Sequence, residues 1–111
     1  MIYSKAEQLK WNKPPKEISK EDKAYLEWFA NTNLACIVCN TLNGVQGHHI
    51  KERSTDKKNH KQMLPLCLEH HTGNKISPHG AKKQFFEMFP IEAQRTIAFI
   101  IYNQYLEELN G

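Results

Sequence analysis

Two short pairs of side chains carry the first chemistry in this chain. Cys36-Ile37-Val38-Cys39 sets two thiols a CxxC apart, and Cys67-Leu68-Glu69-His70 repeats the spacing with a thiol and an imidazole. Brought together by a hairpin, CxxC and CxxH suit one closed tetrahedral zinc site. Thiolates favour a soft or borderline ion, and four protein ligands leave no position for a substrate. Such a site supplies folding energy rather than catalysis. The pattern uses all three cysteines, and an odd count argues against a disulfide framework. The rival is a redox CxxC, which opens a helix after a strand. Here the stretch that follows, NTLNGVQG, is turn chemistry.

The remaining histidines are His48, His49, His60, His71 and His79. Neighbouring residues of a strand point to opposite faces, so His48 and His49 are not equivalent ligands. One binding an ion while the other acts as a base is the natural division. His70 and His71 lie about 100° apart on a helix and can serve separate sites. Gly73 and Pro78 stand between His71 and His79, so those two cannot share one continuous helix. His60, in the polar run DKKNHKQ, has no partner pattern and reads as solvent-exposed.

The elements that must position these groups follow from the punctuation of the chain. Residues 1–18 read as a basic arm broken by Pro14 and Pro15, with a short strand around Trp11. Ser19 followed by Asp22 reads as the cap and acidic first turn of a helix over 19–33, with Leu26, Phe29 and Ala30 on one stripe beside Tyr25. Residues 34–79 then hold a knuckle, a strand GVQGHHI after the Asn43-Gly44 turn, a basic loop and a second strand MLPLC. Pro65 marks the second strand as an edge, and a helical turn LEHHT ended by Gly73 follows. Residues 80–111 return to helical periodicity, first over 80–89 and then from Pro90 to Leu109. The last helix places Ile97, Ile100, Ile101, Tyr105 and Leu109 on a stripe for the core or for a homodimer contact. A length of 111 residues fits one α+β domain.

Lys51, Arg53, Lys57, Lys58 and Lys61 lie between the two Cys/His clusters, with only Glu52 and Asp56 against them. A basic loop beside a metal site suggests a polyanionic partner, and a merely solvated lysine loop is the alternative. No apolar run approaches the ~20 residues that span a bilayer. The first residues do not read as a secretory signal, so the expected compartment is the cytoplasm and no membrane partner is expected.

HHI, a basic loop, then LPLCLEHH and a later histidine resemble the HNH endonucleases, whose core is the ββα-metal (His-Me finger) fold. The CxxC…CxxH framing resembles their zinc-bound subset, and HHTG…H before an amphipathic helix is similar to small phage recombination-enhancement nucleases of the Ref type. The resemblance covers about residues 34–90. It implies His49 as general base and His48, His71 and His79 as ligands of a catalytic divalent ion, with Asn74 a rival to His79. Cys36, Cys39, Cys67 and His70 would then hold structural zinc. The middle letter of HNH, which braces the loop carrying the base, falls on Gln62, with Asn59 the alternative register.

The implied chemistry is hydrolysis or nicking of a DNA phosphodiester in a bacterial or phage-infected cell, tied to recombination or DNA processing. Neutral His49 would take a proton from water. Three imidazoles without a carboxylate lean toward Zn²⁺, Ni²⁺ or Mn²⁺, whereas Mg²⁺ would need phosphate oxygens to complete its shell. Arg53 would grip phosphate bidentately, and Lys51, Lys57, Lys58 and Lys75 would add salt-dependent attraction. Two other classes compete with the nuclease: a noncatalytic zinc-knuckle module that binds nucleic acid, and a structural phage protein whose zinc only supports the fold.

Overall fold

The computed structural model describes residues 18–51 and 57–111. The N-terminal arm up to residue 17, with its expected strand at Trp11, and Arg53 lie outside the described residues.

Ser19 starts the first helix, α1 (Lys20–Asn31), where its hydroxyl accepts a hydrogen bond from the Asp22 amide at 3.1 Å. Glu21 and Asp22 sit in the first turn, where the free N–H groups of a helix favour negative charge. The helix buries Tyr25 and Phe29, one turn apart, while Leu26 is partly covered. Ala30, expected on the same stripe, is exposed because the buried face narrows to the two aromatic positions.

The turn at Asn43-Gly44 depends on Gly44, which holds φ +63°, a conformation L side chains rarely adopt. It leads into β1 (Val45–His49), which pairs antiparallel with β2 (Met63–Cys67). The register sets His48 opposite Leu64, His49 opposite Met63 and Gly47 opposite Pro65. A two-stranded sheet is marginal alone and needs packing on its faces. Here every residue of β2 is buried. Leu64, Leu66 and Cys67 join a cluster with Cys36, Phe85 and Ala98, whereas Met63 joins Tyr25, Phe29, Ile101 and Tyr105 on the other side. Pro65 fits as an edge residue, because it lacks an N–H while its carbonyl accepts from the Ile37 amide at 3.1 Å. The knuckle therefore covers the outer rim of β2.

Directly after β2 comes α2 (Leu68–Thr72), closed at Gly73, whose amide donates to the Glu69 carbonyl. A Cβ at Gly73 would collide with that same carbonyl, so the stop requires glycine. Then follow α3 (Lys82–Met88) and α4 (Ile91–Asn110), with Pro90 as the residue that caps α4. The expected α4 stripe splits in two. Ile101 and Tyr105 are buried with Gln94 and Ala98, whereas Ile100 and Leu109 face solvent at 61% and 64% exposure, beside Phe99. The core-facing positions recur at 94, 98, 101 and 105, and Ile100 stands about 100° away from Ile101. The described residues form a small α+β fold of helices around an antiparallel strand pair. Among the described residues no helix is long and apolar enough to cross a membrane.

Candidate metal centres

The knuckle is built by tight local bonds. The Cys36 amide donates to the Thr41 carbonyl at 2.9 Å, and the Asn40 amide returns to the Cys36 carbonyl at 2.8 Å. Asn40 takes the left-handed conformation with φ +65°, which Asn tolerates better than most residues. This turn, packed on the end of β2, brings the sulfurs of Cys36, Cys39 and Cys67 within 4.8 Å of one another. Cys39 Sγ lies 3.8 Å from Cys67 Sγ, and the Val38 amide points at Cys36 Sγ at 3.4 Å. Burial works against a Cys36 thiolate, but the N–H groups of Cys67, Cys39 and Val38 outweigh it and hold that thiol below its ordinary value. Burial, followed by the neighbouring thiols, pushes Cys67 up despite the His70 amide. Three sulfurs this close cannot all carry charge without a cation among them, which is the donor set of a zinc-type site.

His70, expected as the fourth ligand, stands outside that group of three. Its Nδ1 lies 3.2 Å from the carbonyl oxygens of both Lys75 and Ile76. An N–H donated there leaves the lone pair on Nε2, which is the way metal-binding imidazoles are commonly oriented. Ile76 holds φ +47° in this turn, an uncommon conformation for a β-branched residue.

On the other side of α2 a second cluster forms. The ring nitrogens of His48, His71 and His79 come within 4.8 Å of one another, and their ring centroids are 4.9 to 5.2 Å apart. His48 comes from β1, His71 from α2, and His79 from the loop before α3. That loop is drawn back by buried Ser77, whose hydroxyl donates to the Gly73 carbonyl at 2.6 Å and accepts from the amides of Gly80 and Ala81. The His79 amide in turn reaches the His71 carbonyl at 3.3 Å. Asn74, the alternative ligand, is exposed on the turn. His71 Nδ1 meets Gln46 Oε1 at 2.7 Å, which leaves His71 Nε2 for an ion. Burial, then His71 and His79, pushes His48 down to about 3, and burial with His79 also lowers His71. His48 and His71 are therefore neutral at pH 7 and present lone pairs.

His49, the next residue, meets a different partner. Its Nε2 lies 2.9 Å from His60 Nδ1, with the rings 4.9 Å apart at 76°. Burial first, then His60, Lys58 and Lys51, pushes His49 down to about 4. His60 is thus half-buried against a site residue rather than solvent-exposed as expected, because the hairpin register carries it across from the end of β1. Gln62 meets the sheet through its main chain, with its carbonyl accepting from the Ile50 amide at 3.0 Å. Asn59 shapes the turn, since its Oδ1 accepts from Lys61 and its carbonyl from Gln62.

A cleft of about 500 Å³ joins these groups. His48, His49, His71 and His79 line it together with Lys51, Lys58 and Lys82. Lys57 and Lys75 are exposed and do not line it. Sequence reasoning missed Lys82, Gln46 and His60. Of these, only His60 left a signal, three positions before the strand that pairs with His49. The chain matches no family model, no curated protein and no solved structure.

Proposed function

We propose that this chain is a metal-dependent DNA endonuclease or nickase built on a ββα-metal core of the HNH kind. The observation that supports it most is the single cleft in which three clustered imidazoles, a fourth histidine and three lysines converge. On this reading β1, β2 and α2 are the ββα unit. His48, His71 and His79 hold a divalent ion, and Cys36, Cys39 and Cys67 hold structural zinc with His70 Nε2 as the fourth donor. The all-imidazole set suits Zn²⁺, Ni²⁺ or Mn²⁺ better than Mg²⁺. When bound, the ion supplies Lewis-acid polarisation of the scissile phosphate and stabilises the leaving oxygen.

The chain's own residues do the rest. Lys51, Lys58 and Lys82 draw the phosphate backbone into the cleft by charge, without reading bases. His49 takes the proton of the attacking water. At about 4 its imidazole is wholly neutral at pH 7 but a weaker base than one matched to that pH. Burial and neighbouring cations cause that depression, so an incoming phosphate opposes it and strengthens the base when substrate is present. The resemblance extends the proposal to DNA processing in phage recombination.

Purified protein loaded in turn with Zn²⁺, Ni²⁺, Mn²⁺ and Mg²⁺ should nick plasmid DNA with at least one added ion, and metal analysis should find two sites per chain. One zinc per chain, DNA binding and no cleavage with any ion would instead establish the noncatalytic zinc-knuckle module.

A further inference from the structure

Among the described residues His60 belongs to neither cluster of candidate ligands, yet it is held with care. The Asn59 side chain caps the Lys61 amide at 3.0 Å, the Asn59 carbonyl accepts from Gln62 at 2.9 Å, and Gln62 accepts from Ile50 at 3.0 Å. Through Gln62 this turn is tied to the end of the strand pair whose last register position is His49 opposite Met63. It delivers His60 Nδ1 to within 2.9 Å of His49 Nε2.

A hydrogen bond between the two facing ring nitrogens needs one proton, and it can be supplied in only two ways. If His60 Nδ1–H donates, His49 Nε2 spends its lone pair on the contact and the His49 proton sits on Nδ1. That imidazole has no lone pair left for water. If His49 Nε2–H donates instead, His60 Nδ1 accepts, and His49 Nδ1 keeps a free lone pair. Only the second arrangement is compatible with a base at position 49.

We propose that His60 is a positioning residue that accepts from His49 Nε2–H, fixing the tautomer and ring angle that leave His49 Nδ1 to receive the proton of water. The choice of tautomer rests on the nuclease reading, since only a base at position 49 selects it, whereas the 2.9 Å contact does not. When His49 gains a proton, the contact becomes a charge-assisted hydrogen bond, so the same acceptor also stabilises the imidazolium. The arrangement needs an acceptor at position 60 and does not need an imidazole as such.

Three full-length, zinc-loaded proteins decide it: parent, His60→Ala and His60→Asp, the last because a carboxylate accepts and cannot donate. Nitrogen-15 NMR of the histidine rings should find the His49 proton on Nε2 in the parent and in His60→Asp, and exchange between nitrogens in His60→Ala. Single-turnover nicking by His60→Ala should fall ~10- to 100-fold with KM for DNA little changed, and His60→Asp should recover most of that rate. A parent His49 protonated on Nδ1 overturns the proposal, as does a His60→Asp protein as slow as His60→Ala. A parent that cuts no DNA sinks the nuclease reading alone, and the ring spectra still decide the His60–His49 contact.

Discussion

One peptide bond separates His48 from His49, and the pleat of β1 gives them different neighbours. His48 is buried among His71, His79 and Phe85, while His49 turns to His60. The two substitutions should therefore separate binding of the second ion from catalysis. His48→Ala should lose the second ion while keeping zinc, and with the ion its cleavage. His49→Ala should keep both metal sites and bind DNA near normally, while cleavage falls by at least ~10²-fold, the lower range of a general base. Metal analysis and plasmid nicking on both proteins make the comparison. A His49→Ala protein that sheds the second ion while His48→Ala keeps it would reverse the roles. The different surroundings of these residues were legible in the sequence, since adjacent strand residues alternate whatever the rest of the fold does. The Gln46–His71 contact was not, because it joins β1 to α2 across 25 positions and leaves no periodic trace.

At the scale of elements, legibility followed locality. The cap at Ser19, the turn at Gly44, the strand pair and the stop at Gly73 are each written within a few residues, and the structure has all four. The return of His79 is different. It depends on one buried hydroxyl, Ser77, bonding backward to Gly73 and forward to Gly80 and Ala81, a pattern without a sequence period. The apolar stripe of α4 was legible only as helical, since its division between core and solvent depends on what packs against it. The Ser77 loop is close-packed enough to test. A Cβ on Gly80 would collide with the main-chain carbonyls of Gly73 and Thr72, which cannot swing away as a side chain would. Gly80→Ala should displace the loop, costing ~1–3 kcal/mol of stability and weakening the second ion more than the zinc. Thermal melts and metal titration read both effects. A variant that melts with the parent and binds the second ion equally well would show that the loop does not set the position of His79.

For the molecule as a whole, charge is the first lever. The net charge of +3 is modest, but three lysines stand around one cleft. Lys58→Ala combined with Lys82→Ala should weaken binding to unrelated DNA sequences alike. It should also lower the slope of log affinity against log salt by about 2 units for duplex DNA, if each lysine neutralises one phosphate. Binding measured by fluorescence anisotropy at several salt concentrations checks this, and a loss confined to one sequence would point to base readout instead. The second lever is pH, and its sign follows from burial. His48 and His49 sit at about 3 and about 4 in the fold, but near 6.5 in the unfolded chain. Below 6.5 the unfolded chain therefore binds protons that the folded one refuses, so stability falls as pH drops. The contribution is complete above 6.5 and is lost progressively toward pH 4 and then 3. With the imidazole-bound ion removed and zinc retained, the melting temperature should fall between pH 7 and pH 5. His48→Gln, which has no proton to gain, should fall less over the same interval. Equal slopes in the two proteins would mean that His48 is not held neutral by its surroundings, and the case for a ready lone pair on His48 would weaken with it.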